Sequence, residues 1–296
     1  MTAAARSTGW WRAMPAVFVL IWSTGFIVAR YAMPYAPPLK FLAIRYALSG
    51  LCFAAWALAS GVSWPARRVQ WLHLGVTGVL MHAGYLGGVW AAVHAGMGSG
   101  LVALLVGLQP VLTAIWLSTQ GSQVSRRQWT GLALGFLGLA LVVARKLAQG
   151  GEISIWTMTL ALAALMSITA GTLYQKRFVA PCDVRSAATV QQAAALLVTL
   201  PFVWLESQSI EWNAFSIGAM AWSVLALTLG AGSLFYLLIQ RGTATAVASL
   251  LYLVPPCTAV MAFFLFDEPV TMLTLLGIAI TAVGVGLVVR ERPPAV

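Results

Sequence analysis

The sequence predicts an all-α integral membrane protein with ten transmembrane helices, built as two inverted five-helix repeats around a central cavity. Three observations carry this reading: the composition, a succession of apolar spans, and an offset of 146 residues that lays the first half on the second. Of 296 residues, 60% are hydrophobic and 8% charged, where a soluble globular chain carries about 25% charged. That much apolar surface cannot be hidden from water in one or two soluble cores.

The spans come in order, each near the roughly 20 residues that cross a bilayer. The first, 14–33, follows Arg6 and Arg12; it is too long for a leader's apolar core and lacks a small-residue cleavage site, so it reads as a helix. Next come 39–60, 71–94 and 98–118, the last holding the odd stretch GLQPV at 107–111. Span 127–144 carries Gly131, Gly135 and Gly138. The second half continues with 154–178, 186–205, 214–240, 244–266 and 270–289. Connections are short and leave no room for a soluble domain. Trp10, Trp11, Trp64 and Trp71 fall near span ends, as interfacial anchors do.

Orientation follows from the basic residues. With the N-terminus in the cytoplasm, twelve Lys and Arg fall inside and five fall on or towards the outside. Both termini are then cytoplasmic, and the net charge of +10 is mostly this bias rather than a nucleic-acid footprint. The partners expected are therefore a small-molecule solute and the lipid bilayer, with no nucleic acid. Cys52, Cys182 and Cys257 are isolated and show no metal-ligand spacing. No cofactor and no metal are expected.

The offset of 146 takes Gly25 to Gly171, Gly84 to Gly230, Pro110 to Pro256, Gly131 to Gly277 and Gly138 to Gly284. The halves are 1–146 and 147–296. Each holds five spans, an odd number, so the two must be upside down relative to one another, as in many transporters. Gln109-Pro110 in span 4 and Pro255-Pro256 in span 9 are the matching helix breaks. A break frees backbone groups, and at membrane depth these are tolerated only beside a cavity or packed protein. Pro110, Pro255 and Pro256 are thus the expected helix-break or gating positions. The glycines of spans 5 and 10 fit either packing within one chain or a weak dimer face.

On these motifs the chain resembles the drug/metabolite transporter superfamily, and its EamA-like branch in particular. IWSTGFIVARYA closes helix 1 in a similar way, PPLKFLAIRYALSGL is similar to the family's opening of helix 2, and LVPPCTAVMAFFLFDEPVTMLTLLGIAITAVGVGLVV is the strongest match. The acidic pair Asp267-Glu268 is not duplicated in the first half, where Gly121-Ser122 stand. The resemblance implies ten helices, a central cavity and export of small metabolites. Within the branch, the chain looks like bacterial aromatic-amino-acid exporters of the YddG kind, resident in the inner membrane.

The seven acidic residues all fall in loops or at span ends. A proton-coupled exporter of hydrophobic cations needs a buried carboxylate, and a membrane-embedded enzyme needs a carboxylate pair, zinc motif or metal cluster. Neither is present, so no catalytic residue is expected. Polar and aromatic groups near mid-span are the candidate solute contacts: Trp22, Ser23, His82, Tyr85, Gln109, Ser167 and Tyr252. Such a wall suits a zwitterion with an apolar body. Aromatic or other hydrophobic amino acids are the leading expectation; another neutral metabolite, such as a sugar conjugate or purine, and a lipid-modifying enzyme are the alternatives. Gln109 is expected to present its amide to the solute or to a helix across the cavity. His82 fits equally a bridge between two helices. Arg45, about two turns inside helix 2, is expected to snorkel outward or meet a structural partner.

Overall fold

A computed structural model describes residues 3–121, 125–149, 154–241, 247, 250–266 and 272–289. The helices are α1 (Ala3–Ala32), α2 (Pro38–Ala59), α3 (Arg68–His94), α4 (Ser99–Thr119), α5 (Arg126–Gln149), α6 (Ile155–Phe178), α7 (Val184–Val203), α8 (Ala214–Arg241), α9 (Val254–Phe266) and α10 (Met272–Val289). They fall on the apolar spans of the sequence. Among the described residues, seven are long and apolar enough to cross a membrane: α1 through Ala13–Ala32, α2, α3, α4, α6, α7 and α8.

Local chemistry sets the helix ends. Pro38 begins α2, where a missing N–H costs nothing, and both oxygens of Glu206 accept from the next two backbone N–H groups, Leu39 and Lys40, each at 2.8 Å. Ser154 and Thr157 cap α6 reciprocally, as Asn213 and Ser216 cap α8. Asp183 caps α7 by accepting from the Arg185 N–H at 2.9 Å, and the Arg185 side chain holds that carboxyl below its ordinary pKa. Gly61, Gly96 and Gly121 follow α2, α3 and α4 at positive φ, the left-handed turn that favours glycine.

Two helices are interrupted by proline. In α4 the ladder tightens after Gly107: Leu108 N–H bonds the Leu105 carbonyl at 3.1 Å and Val111 N–H bonds Leu108 at 3.0 Å, both three residues back. Gln109 and Pro110 then start a new first turn. In span 9 the helical backbone at residue 250 passes into the 3-10 turn Leu251–Leu253, and the helix Val254–Phe266 that follows has Pro255 and Pro256 in its first turn. The two breaks meet, since a Cβ added at Gly107 would lie 3.2 Å from Pro255 Cγ.

A second pair of irregularities is wider than a proline break. Residues 79–84 of α3 and 223–232 of α8 are π-helical. The offset of 146 carries the first segment to 225–230, inside the second. Such bulges insert a residue and turn the following side chains, often at functional sites.

Packing repeats the same correspondence. α5 lies along α10, α2 along α7, α3 against α6 and α1 against α8. The α5–α10 contact is reciprocal: a Cβ added at Gly138 would strike the Gly277 carbonyl, and one added at Gly284 would lie 2.5 Å from the Gly131 carbonyl. The glycines read as either a dimer face or an internal seam are therefore the internal seam. Large apolar side chains such as Leu51, Leu58, Leu197 and Phe264 are left on the outside, as a lipid-facing surface requires.

Candidate functional site

A cavity lies between α1, α2, α3, α6, α7 and α8. Those are the first three helices of each half.

One wall is aromatic. Trp22 of α1 stacks on Tyr85 of α3, with ring centroids 6.2 Å apart and planes 6° from parallel. Phe235 of α8 packs on Trp22 at 5.0 Å, and Phe18 stacks on Phe235 at 5.3 Å. Tyr85 is the residue directly after the π segment of α3, so the bulge sets its direction. The shelf thus joins elements from both halves.

Other lining groups are polar and buried. The amide nitrogen of Gln192 lies 3.3 Å from His82 Nε2, and the Gln191 amide donates to Gln175 Oε1 at 3.4 Å. Tyr46 donates to the His82 backbone carbonyl at 2.9 Å. Gln192 Oε1 and Gln175 Nε2 are buried with no hydrogen-bond partner among the described residues. An acceptor and a donor are thus unsatisfied in residues that line the cavity, a costly arrangement in apolar surroundings.

Arg45 completes these polar groups, and its placement corrects the sequence reading. It is 5% exposed and does not snorkel. Its Nε donates to Thr228 Oγ1 at 3.1 Å, and its Cζ stands 5.9 Å from the Trp90 ring centroid. Thr228 sits inside the π segment of α8 and spends its own proton on the Ser223 carbonyl, five residues back, at 2.8 Å. Its oxygen is then turned to accept from Arg45. The 146-residue offset takes Arg45 to Gln191, Tyr46 to Gln192 and His82 to Thr228. The two halves therefore each make a polar contact between the corresponding helices, Arg45 to Thr228 across α2 and α8 and Gln192 to His82 across α7 and α3.

Of the solute contacts expected from the sequence, Trp22, His82 and Tyr85 line this cavity together. Ser23 is buried behind it, donating to the Val19 carbonyl at 2.7 Å and lying 3.4 Å from the Val254 carbonyl. Ser167 packs where Gly84 lacks a side chain. Gln109 is fully buried outside the cavity wall and donates to Thr172 Oγ1 of α6 at 3.0 Å, with its Oε1 unpaired. Pro110, Pro255 and Pro256 stand at the two touching breaks. The side chain of Tyr252 lies outside the described residues, as do Glu152, Asp267, Glu268 and Glu291. The sequence reading passed over Gln175, Gln191, Gln192 and Thr228. For the glutamines the available signal was a run of amides inside apolar spans.

The comparisons with known proteins agree with this architecture. One solved crystal structure superposes with a TM-score of 0.74 over 93% of this chain and 94% of its own, at 18% identity, which speaks to the fold alone. The uncharacterized transporter YvbV of Bacillus subtilis is 29% identical over 92% of this chain and 89% of its own length. The uncharacterized inner membrane transporter YedA of Escherichia coli is 26% identical over 82% and 78%. A probable amino-acid metabolite efflux pump of Escherichia coli is 25% identical over 90% of each. The sequence profile of the EamA-like transporter family matches residues 10–144 and 155–290. With a multi-pass helical fold and matches that span both halves, the chain belongs to the EamA-like transporter family, membrane transporters of small solutes.

Proposed function

We propose that the protein is an inner-membrane exporter of small metabolites, with aromatic or other hydrophobic amino acids as its solutes, working by alternating access of the central cavity. The observation that carries this reading is the cavity itself. It is lined by the corresponding three helices of both halves and holds both an aromatic shelf and unsatisfied amides. Two inverted repeats rocking about their reciprocal α5–α10 seam open such a site to each face in turn. The shelf takes an apolar side chain, and the polar groups take a charged head group. Outward transport and the amino-acid class are supported by the relative named as an amino-acid metabolite efflux pump. The inner-membrane location is supported by the relative named for it. The distribution of basic residues supports cytoplasmic termini under the positive-inside rule.

Counterflow tests the reading. Purified protein in liposomes preloaded with unlabelled solute should concentrate the same labelled solute transiently, for at least one of phenylalanine, tryptophan, tyrosine and leucine. Counterflow confined to purines or sugar conjugates would overturn the solute class. Turnover of lipid without counterflow of any solute would overturn the transporter.

A further inference from the structure

Arg45 has a fixed charge at a depth where charge is expensive, and among the described residues no carboxylate answers it. Of the three described acidic residues, Asp183 is held by Arg185, Glu206 caps α2, and Glu211 stands in the 206–213 connection, its N–H on the Tyr35 carbonyl. None lines the cavity. The guanidinium gives Nε to Thr228, and its remaining N–H groups have no hydrogen-bond acceptor among the described residues. A buried arginine of this kind is kept only where it acquires a partner, and an intramembrane charge facing a cavity marks a solute path. Helix α2 places Arg45 about 10 Å from its N-terminal end, yet the side chain turns inward to Thr228 and Trp90 rather than out to water.

We infer that Arg45 is the anchor for a solute carboxylate, resting on the transporter reading above and naming its substrate chemistry: a monocarboxylate carrying an apolar body. Thr228 fixes Nε, which orients the planar guanidinium and leaves an Nη edge for a two-oxygen acceptor. The stacked Trp22 and Tyr85 receive the apolar body. Gln192 Oε1, the unpaired acceptor beside His82, takes the ammonium of an amino acid. One cation matches one carboxylate. A phosphate ester, nearer two negative charges at neutral pH, leaves charge unmatched. The corresponding position in the other half is Gln191, so the cavity has one anion site and not two.

The test uses the protein in liposomes, with labelled phenylalanine as probe and phenylalaninamide, phenethylamine and adenine as unlabelled competitors, and thermal stabilisation by each compound in detergent as a second readout. The unmutated protein should prefer phenylalanine over the amide and the amine by roughly ten- to hundredfold, the loss expected for a hydrogen bond to a charged group. Arg45→Gln should remove that preference by weakening phenylalanine binding while leaving stabilisation by the analogues that lack a carboxylate. Arg45→Lys, which keeps the charge but not the fork, should retain part of it and serves if the glutamine variant does not fold. Equal competition by the amide in the unmutated protein would overturn the assignment, and so would an undiminished carboxylate preference in Arg45→Gln. Phenylalanine flux inhibited by adenine as strongly as by unlabelled phenylalanine would sink the carboxylate anchor while leaving a transporter. The absence of labelled-phenylalanine flux would sink the amino-acid reading and the anchor with it.

Discussion

Gln109 spends one amide proton on Thr172 of α6 and keeps its Oε1 buried and unpaired. The bond joins α4 of the first half to α6 of the second, away from the cavity wall. Gln109→Leu should therefore change the half-saturation concentration by less than about threefold, since loss of a solute contact costs tenfold or more, and should act on maximal flux instead. Initial-rate transport against solute concentration separates the two; a large rise in half-saturation would place the amide on the solute. Glu206 acts at a distance of another kind, holding the first N–H groups of the helix that carries Arg45. Glu206→Ala should cost about 1–2 kcal/mol of stability, the scale of a lost helix cap, read as a lower unfolding midpoint in detergent. An unchanged midpoint would mean that water replaces the cap. At this scale the sequence was partly legible. Trp22, His82 and Tyr85 stood out as polar or aromatic groups at mid-span, and they line the cavity. Arg45 did not, because its distance from the helix end is compatible with either snorkelling or burial, and only the position of Thr228 on another helix decides between them.

The elements are held by close backbone approach more than by side-chain interlock. α5 and α10 touch where Gly131, Gly138, Gly277 and Gly284 leave no side chain in the way, the arrangement that lets helices associate in lipid. Gly284→Leu should destabilise the fold by about 1–3 kcal/mol, since the added atoms meet the Gly131 carbonyl and the Gly135 N–H. Val283→Leu on the neighbouring exposed position should be neutral. Equal midpoints for the two variants would dissolve the seam. Helix positions were legible because span length and apolarity are set by the bilayer. The proline breaks were legible because proline removes a donor wherever it stands. The π segments of α3 and α8 were not, since one inserted residue leaves no trace in composition, and their correspondence appears only once Gly84 and Gly230 are placed in space.

At the scale of the whole molecule, the alternating access proposed above requires the halves to move about their seam. The halves share a reciprocal seam, and the corresponding helices of both surround one cavity. Among the described residues, no carboxylate lines that cavity. Downhill flux from loaded liposomes should therefore continue at an unchanged rate when a protonophore collapses the proton gradient. Loss of flux would make His82, the imidazole in the wall, the candidate proton carrier. The central claim is that one cavity serves both faces of the membrane. Leu227 lines it from the π segment of α8, which makes Leu227→Cys a reporter once Cys52, Cys182 and Cys257 are replaced. The direct measurement is labelling of that single cysteine by a membrane-impermeant thiol reagent, applied to right-side-out and to inside-out vesicles in turn. Alternating access predicts labelling from both faces, with saturating solute slowing both reactions. Labelling from one face alone, unaffected by solute, would contradict it.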